Sequence, residues 1–263
     1  MKVEGVLKKM ITENGKPVNY FLDLDTHIIN VNQFINKSLY FKHIGYKCLN
    51  CHEDKLIFRQ GFCKKCFFET PIAGDWVMKP ELSQAHLGIE DRVLEYEEKI
   101  QLQPHIVYLA NSSNLKVGVT RESQIPTRWI DQGAESAIPL VRVPNRYLAG
   151  ITEVALKEYV ADKTNWRKML TSNSPEINLL ETKKSLKKYL PQEVQEFYTE
   201  DSKEYHFDFP MNSYPEKIHS INLTKLPEFK KVLKGIKGQY LVFEDQTAFN
   251  IRSNEGFRVE LSV

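Results

Sequence analysis

No apolar run in these 263 residues approaches the roughly 20 that a membrane-spanning helix requires, so no transmembrane helix is expected. Charge of one sign is equally scarce. The net charge is only +2, so the molecule as a whole does not draw polyanions, and any nucleic-acid contact must rest on local patches. The opening Met1-Lys-Val-Glu-Gly5 reads as neither a signal nor a transit peptide, so the expected compartment is the cytoplasm. Cysteine is scarcest in its distribution: there are four, all within one window of nineteen residues. What is present is ordinary for a globular chain. At 41% hydrophobic, 27% charged and 11% aromatic it is not disordered, and its length allows more than one compact unit.

The four thiols form two knuckles, Cys48-Leu-Asn-Cys51 and Cys63-Lys-Lys-Cys66, separated by eleven residues. Four thiolates so spaced can occupy the corners of a tetrahedron, which suits a structural zinc ion with no open position. A reducing compartment disfavours two disulfides, and a redox pair needs only one knuckle. Lys47, Lys64 and Lys65 flank the motifs and favour thiolate over thiol. The gap admits one tight hairpin, which Lys55-Leu-Ile-Phe-Arg-Gln-Gly61 can supply. His52 could replace a cysteine, but with four thiolates available it is expected to face solvent.

The predicted fold class is α+β. An N-terminal β unit (1–46) carries the inserted four-cysteine zinc ribbon (47–70), and a connector (71–99) follows, whose stretch from Glu90 to Lys99 is too acidic for a core. A central α/β block (100–172), a helical connector (173–210) and a C-terminal β unit (211–263) complete the chain. Asn14-Gly15 signals a hairpin turn. Tyr20 to Val31 lines up weakly with Tyr240 to Ile251, which suggests related β units, two halves of one barrel, or coincidence between amphipathic hairpins. Two lysine patches, Lys183/Lys184/Lys187/Lys188 and Lys225/Lys230/Lys231/Lys234/Lys237, read either as solvated faces or as basic footprints.

In the central block, Ile106 to Arg121 reads as two strands joined by a polar turn, the second ending at Gly118, where the backbone can open towards a ligand. A helix is expected from Pro126, stopping at Gly133, and a longer one from about Ala149 to Lys163 with Glu153 on it. Hairpin, arginine-bearing helix and glutamate-bearing helix in this order resemble the GIY-YIG nuclease superfamily. Ile106-Val-Tyr108 stands at the first motif and Lys116-Val-Gly118 at the second. The resemblance matches Tyr108, Gly118, Arg128 and Glu153 to that family's tyrosine, glycine, arginine and metal-binding glutamate, and Asn165 to its late asparagine. It departs in three places: Arg128 lies some two residues farther from the glycine than usual, Lys116 replaces the second tyrosine, and Gln132 stands where a histidine often follows the arginine.

The resemblance implies one Mg²⁺ on Glu153, Arg128 steadying phosphoryl charge, and Tyr108 as base or water positioner with Lys116 as its cationic neighbour. Each candidate also has a structural role open to it. Glu153 and Lys157 are spaced as a helical ion pair, Arg128 can pack on Trp129, and Tyr108 can be a buried strand aromatic. Over nearly its whole length the chain also looks like one uncharacterised bacterial zinc-ribbon family with no settled activity. Members of that family often carry further cysteines after the ribbon. This chain has none, so no second metal site is expected. Three functions stay open: a Mg²⁺-dependent nuclease, a noncatalytic nucleic-acid-binding module, and a protein scaffold. In the module, Arg121, Arg128, Arg142 and Arg146 contact phosphates while Trp129 or Tyr147 stacks on a base. Nucleic acid is the expected partner, a membrane is not, and the oligomeric state is left open.

Overall fold

The computed structural model describes residues 1–161, 163–171 and 175–263. The chain is mixed α and β with several sheets, and none of its described helices is long and apolar enough to cross a membrane. It divides into two compact units. The first is built mainly from the two ends, Met1–Glu69 and Phe207–Val263, and the second from Thr70–Met169 and the stretch that runs on to His206.

In the first unit a seven-stranded sheet takes strands from both termini. Its order is Lys2–Val6, Phe257–Ser262, Ser38–Tyr46, Glu228–Lys237, Tyr240–Phe243, Thr247–Asn250 and His219–Ser220. The N-terminal and C-terminal β units separated in the sequence reading therefore share one sheet. Strand Ser38–Tyr46 supplies the join, pairing with Phe257–Ser262 on one edge and Glu228–Lys237 on the other. Phe41, Phe229 and Phe249 lie with centroids 5.3–5.4 Å apart and seal that junction.

The internal echo has a structural counterpart. Asn19–Asp23 with Ile28–Asn30, and Tyr240–Phe243 with Thr247–Asn250, are antiparallel hairpins, each followed by a single 3₁₀ turn. Asn30 and Asn250 occupy the same place in the two. The Asn30 side chain accepts from Asn32 N at 3.0 Å, and that of Asn250 from Ser253 N at 3.1 Å. An asparagine at this point satisfies a backbone donor that a short turn leaves without a partner.

The second unit centres on a four-stranded antiparallel sheet ordered Tyr205–His206, Ser136–Val143, His105–Asn111, Leu115–Arg121. The helix Arg146–Leu156 packs on it, burying Ala149 and Leu156 with Val107, Leu109, Val117 and Leu140. It starts before the expected Ala149 because Asn145 caps it, accepting from Leu148 N at 2.9 Å. The region read as helical over 176–200 forms one α-helix, Leu179–Leu186, then two 3₁₀ pieces.

Segment 71–99, read as a connector, is part of this unit. Gly150 faces it so closely that a Cβ there would lie 2.2 Å from Glu81 N and 2.3 Å from Pro80 C. Gly150→Ala should therefore destabilise the protein by about 1–3 kcal/mol or more, measured by chemical unfolding, because backbone cannot yield as a side-chain tip does. Within the same segment Glu97 is fully buried, despite the acidic reading of 90–99. Its carboxylate accepts from Asp91 N, Arg92 N and Val93 N at 2.9, 2.7 and 2.9 Å, closing the helix Leu94–Gln101 at its N-terminus.

His105, first in its strand, is fully buried, and its Nε2 has no hydrogen-bond partner among the described residues. Its Nδ1 lies 2.7 Å from Gln103 O, so the neutral ring donates there. Burial pushes the imidazole down to about 4. An unfolded histidine titrates near 6.5, so between 6.5 and 4 the unfolded chain binds the extra proton and stability falls with pH. Denaturant titrations should show about 3 kcal/mol lost across that window, and His105→Gln should remove most of the slope.

Candidate metal centre and basic cleft

The ribbon hairpin is the one the cysteine gap requires. Ile57–Arg59 pairs with Phe62–Cys63 across Gln60-Gly61, both at positive φ, and the six-residue helix Lys64–Glu69 follows. The four Sγ atoms lie within 4.8 Å of one another, with Cys48, Cys63 and Cys66 buried. Thiolates 2.3 Å from a tetrahedral zinc stand about 3.8 Å apart, so the cluster fits such an ion. Burial alone would raise the Cys48 thiol, but the backbone N–H groups of Cys51, Cys63 and Asn50 outweigh it and hold it at about 6. The opposite holds at Cys66. The Asn50 side chain pulls its thiol down, while burial and the three neighbouring sulfurs push it up to about 12. Four thiolates cannot collect here without a cation among them, and His52 is exposed beside them.

The second constellation is a cleft of about 200 Å³ in the central unit. Tyr108, Lys116, Arg128 and Glu153 all line it, although they come from two strands and two helices. Strand register explains half of this. Tyr108 pairs with Gly118 and Ala110 with Lys116, so Tyr108 and Lys116 share one face of the hairpin. Gly118 is required by its partner, since a Cβ there would lie 2.6 Å from the Tyr108 hydroxyl. The fully buried phenol donates to Gln132 Oε1 at 2.9 Å, so the glutamine at the position of the absent histidine holds the tyrosine. Burial pushes the Tyr108 phenol above its usual value despite the opposing pull of Arg128. It is therefore a proton donor at neutral pH, and of the two roles expected for it the base is disfavoured.

Arg146, Lys157 and Lys163 complete the cationic lining, so five cations surround the single carboxylate of Glu153, a balance that favours an anion. Lys157 stands 3.7 Å from Glu153, one turn along the helix, and the Glu153 side chain is 13% exposed. Arg146 donates from Nε to Trp76 O at 3.0 Å and from Nη2 to Val77 O at 2.8 Å, with its guanidinium over the Trp76 ring. Burial pushes it down to about 10, which leaves it charged at neutral pH. Lys157 was visible in the sequence only as an ion-pair partner, and Lys163 carried no signal.

The remaining sequence candidates lie elsewhere. Trp129 is fully buried between Tyr108 and Tyr205, with centroids 5.7 and 5.0 Å away, so it stacks in the core and not on a base. Tyr147 stacks on His86 at 4.5 Å. Arg142 makes a fork to Glu122, at 2.7 and 2.9 Å, which a phosphate would have to displace. Arg121 ends its strand opposite His105, three residues from Gly118 and outside the cleft lining. Asn165 is also outside it, and its Oδ1 caps the helix Trp166–Thr171 by accepting from Lys168 N at 3.1 Å. Two of the lysines read as patch members are buried: Lys183, which donates to Asp201 O, and Lys237, which lies beside Tyr214 and Phe209.

No curated protein and no solved structure matches this chain. A family model does match, over residues 36–259, a span that takes in all four cysteines and every residue of the cleft. On that match the chain belongs to the family described as "Protein of unknown function (DUF2797)".

Proposed function

We propose that this is a nucleic-acid-binding protein whose ribbon holds a structural zinc ion and whose cleft receives and hydrolyses a phosphodiester with one Mg²⁺. The observation that carries the reading is the meeting of Tyr108, Lys116, Arg128 and Glu153 in one cleft with a surplus of cations. The GIY-YIG resemblance of the central block supplies the reaction class. Glu153 offers the hard oxygen that Mg²⁺ prefers, and it is the residue that would hold the ion together with phosphate oxygens. Bound there, the ion would polarise the phosphoryl group. Arg128 presents a planar fork to the charge that develops on phosphorus, Tyr108 orients the reacting water or phosphate oxygen by donation, and Lys116 adds charge beside it.

A second reading, binding without cleavage, is favoured by a specific observation: Glu153 already faces Lys157, and Tyr108 is held protonated. One experiment separates the two. End-labelled single-stranded, duplex and hairpin substrates are incubated with the zinc-loaded full chain with Mg²⁺ or with no added divalent cation. A Mg²⁺-dependent nick that disappears in Glu153→Ala with binding intact establishes the enzyme. Binding with no nick under any divalent cation establishes the module, and no binding at low salt removes both.

A further inference from the structure

Two aromatic side chains of the ribbon are exposed to solvent. Phe58, on the hairpin strand Ile57–Arg59, is 42% exposed, and Phe68, on the helix Lys64–Glu69, is 57% exposed. Phe67 is half-buried beneath them, with centroids 5.4 Å from Phe58 and 5.3 Å from Phe68, both edge-on, and Phe58 and Phe68 themselves touch at 5.8 Å with rings tilted by 35°. Leu56, two residues before Phe58, is also exposed. Large apolar groups gathered on a segment this small are costly to leave in water unless something covers them. Cations stand beside them, although the carboxylates of Asp54 and Glu69 are exposed on the same ribbon. The Arg59 guanidinium lies 5.3 Å from the Phe58 ring, and Lys64 and Lys65 are exposed and form no ion pair among the described residues. Glu53, a nearby carboxylate, is paired with Lys55.

We propose that this surface binds an unpaired stretch of nucleic acid, with bases stacked on Phe58 and Phe68 and phosphates held by Arg59, Lys64 and Lys65. Exposed rings beside unpaired cations suit a chain of flat apolar groups joined by anions. A second copy of the same face would set like charges together, and an apolar peptide would leave the cations unused. Duplex hides its ring faces inside the stack, so an aromatic platform selects unpaired bases. No hydrogen-bonding pair is needed to read the sugar, so ribose and deoxyribose strands should bind alike. The platform is preorganised, because Phe58 lies between the two knuckles and Phe67 and Phe68 directly follow Cys66. The inference rests on the nucleic-acid reading above for its class of ligand, but it assigns base contact to a different unit from the cleft.

The test is fluorescence anisotropy on the zinc-loaded full chain without Mg²⁺, using oligothymidylate and oligouridylate of about 12 nucleotides, a duplex of equal length and an abasic strand. Both single strands should bind more tightly than the duplex. Phe58→Ala with Phe68→Ala should weaken single-strand binding about tenfold per ring at unchanged zinc content. The abasic strand should bind wild type about as weakly as the variant binds oligothymidylate. The inference is overturned if the double variant binds as wild type does, if duplex is preferred, or if the same variant converts a dimer to a monomer without altering strand binding. Arg128→Ala, measured in parallel, keeps the cleft separate. Loss confined to the ribbon variant supports the platform and counts against the cleft, whereas loss confined to Arg128→Ala overturns the platform.

Discussion

Treated with a strong chelator, residues 47 to 69 will lose their hydrogen-exchange protection while the central sheet keeps its own. The ribbon cannot stand on its own packing. It has a two-residue-turn hairpin and a helix of six residues, both too short to persist alone in water. Zinc modules of this size draw about 10–16 kcal/mol of apparent binding energy from the metal, far more than the few buried side chains here can supply. Cys63→Ser should act like the chelator, because it removes one of the four sulfur ligands that the cluster offers. Elemental analysis of gently purified protein should find one zinc per chain. Undiminished protection in the chelated protein, or no metal in the purified one, would refute a zinc-held ribbon.

Arg128→Ala should lower phosphodiester cleavage about 10²–10³-fold, the usual cost of removing one preorganised donor from developing negative charge. Glu153→Ala should reduce it to background. Glu153 is largely buried among five cations, so removing its carboxylate also costs stability, and Glu153→Gln, which keeps the side chain's shape, should lose cleavage while remaining folded by circular dichroism. Cleavage retained by a folded Glu153→Gln would mean that the Glu153 carboxylate has no chemical task. Tyr108→Phe should remove the donor to Gln132 and cost less than Arg128→Ala, with no change in the pH profile near neutrality, because the phenol remains protonated there.

Local rules made some of the molecule legible in advance. Cysteine spacing identified the cluster, and Gly133 ended its helix as expected, at φ +66. The expected hairpin forms, with Tyr108 opposite Gly118, but its second strand runs on past the glycine to Arg121. Residues whose roles depend on distant partners were not legible. Trp129 is flanked by charge in sequence but buried by Tyr205, seventy-six residues away. Glu97 is a surface residue by composition and a core residue because three backbone donors converge on it. Arg146 was recognised as a cation but not as the group that draws the carbonyls of Trp76 and Val77 towards the cleft. The echo between Tyr20–Val31 and Tyr240–Ile251 offered a joining of the two ends among its alternatives, and long-range pairing puts strands from both ends in one sheet.

The most direct measurement is the salt dependence of oligonucleotide binding by wild type and by Arg128→Gln/Lys157→Gln/Lys163→Gln, which removes three of the cleft's cations at unchanged zinc content. Each single-strand phosphate contact contributes about 0.7 to the slope of log K against log salt, so the triple variant should bind with a slope shallower by about two. Parallel slopes, with the two proteins differing by no more than a constant offset, would mean that phosphates do not enter the cleft.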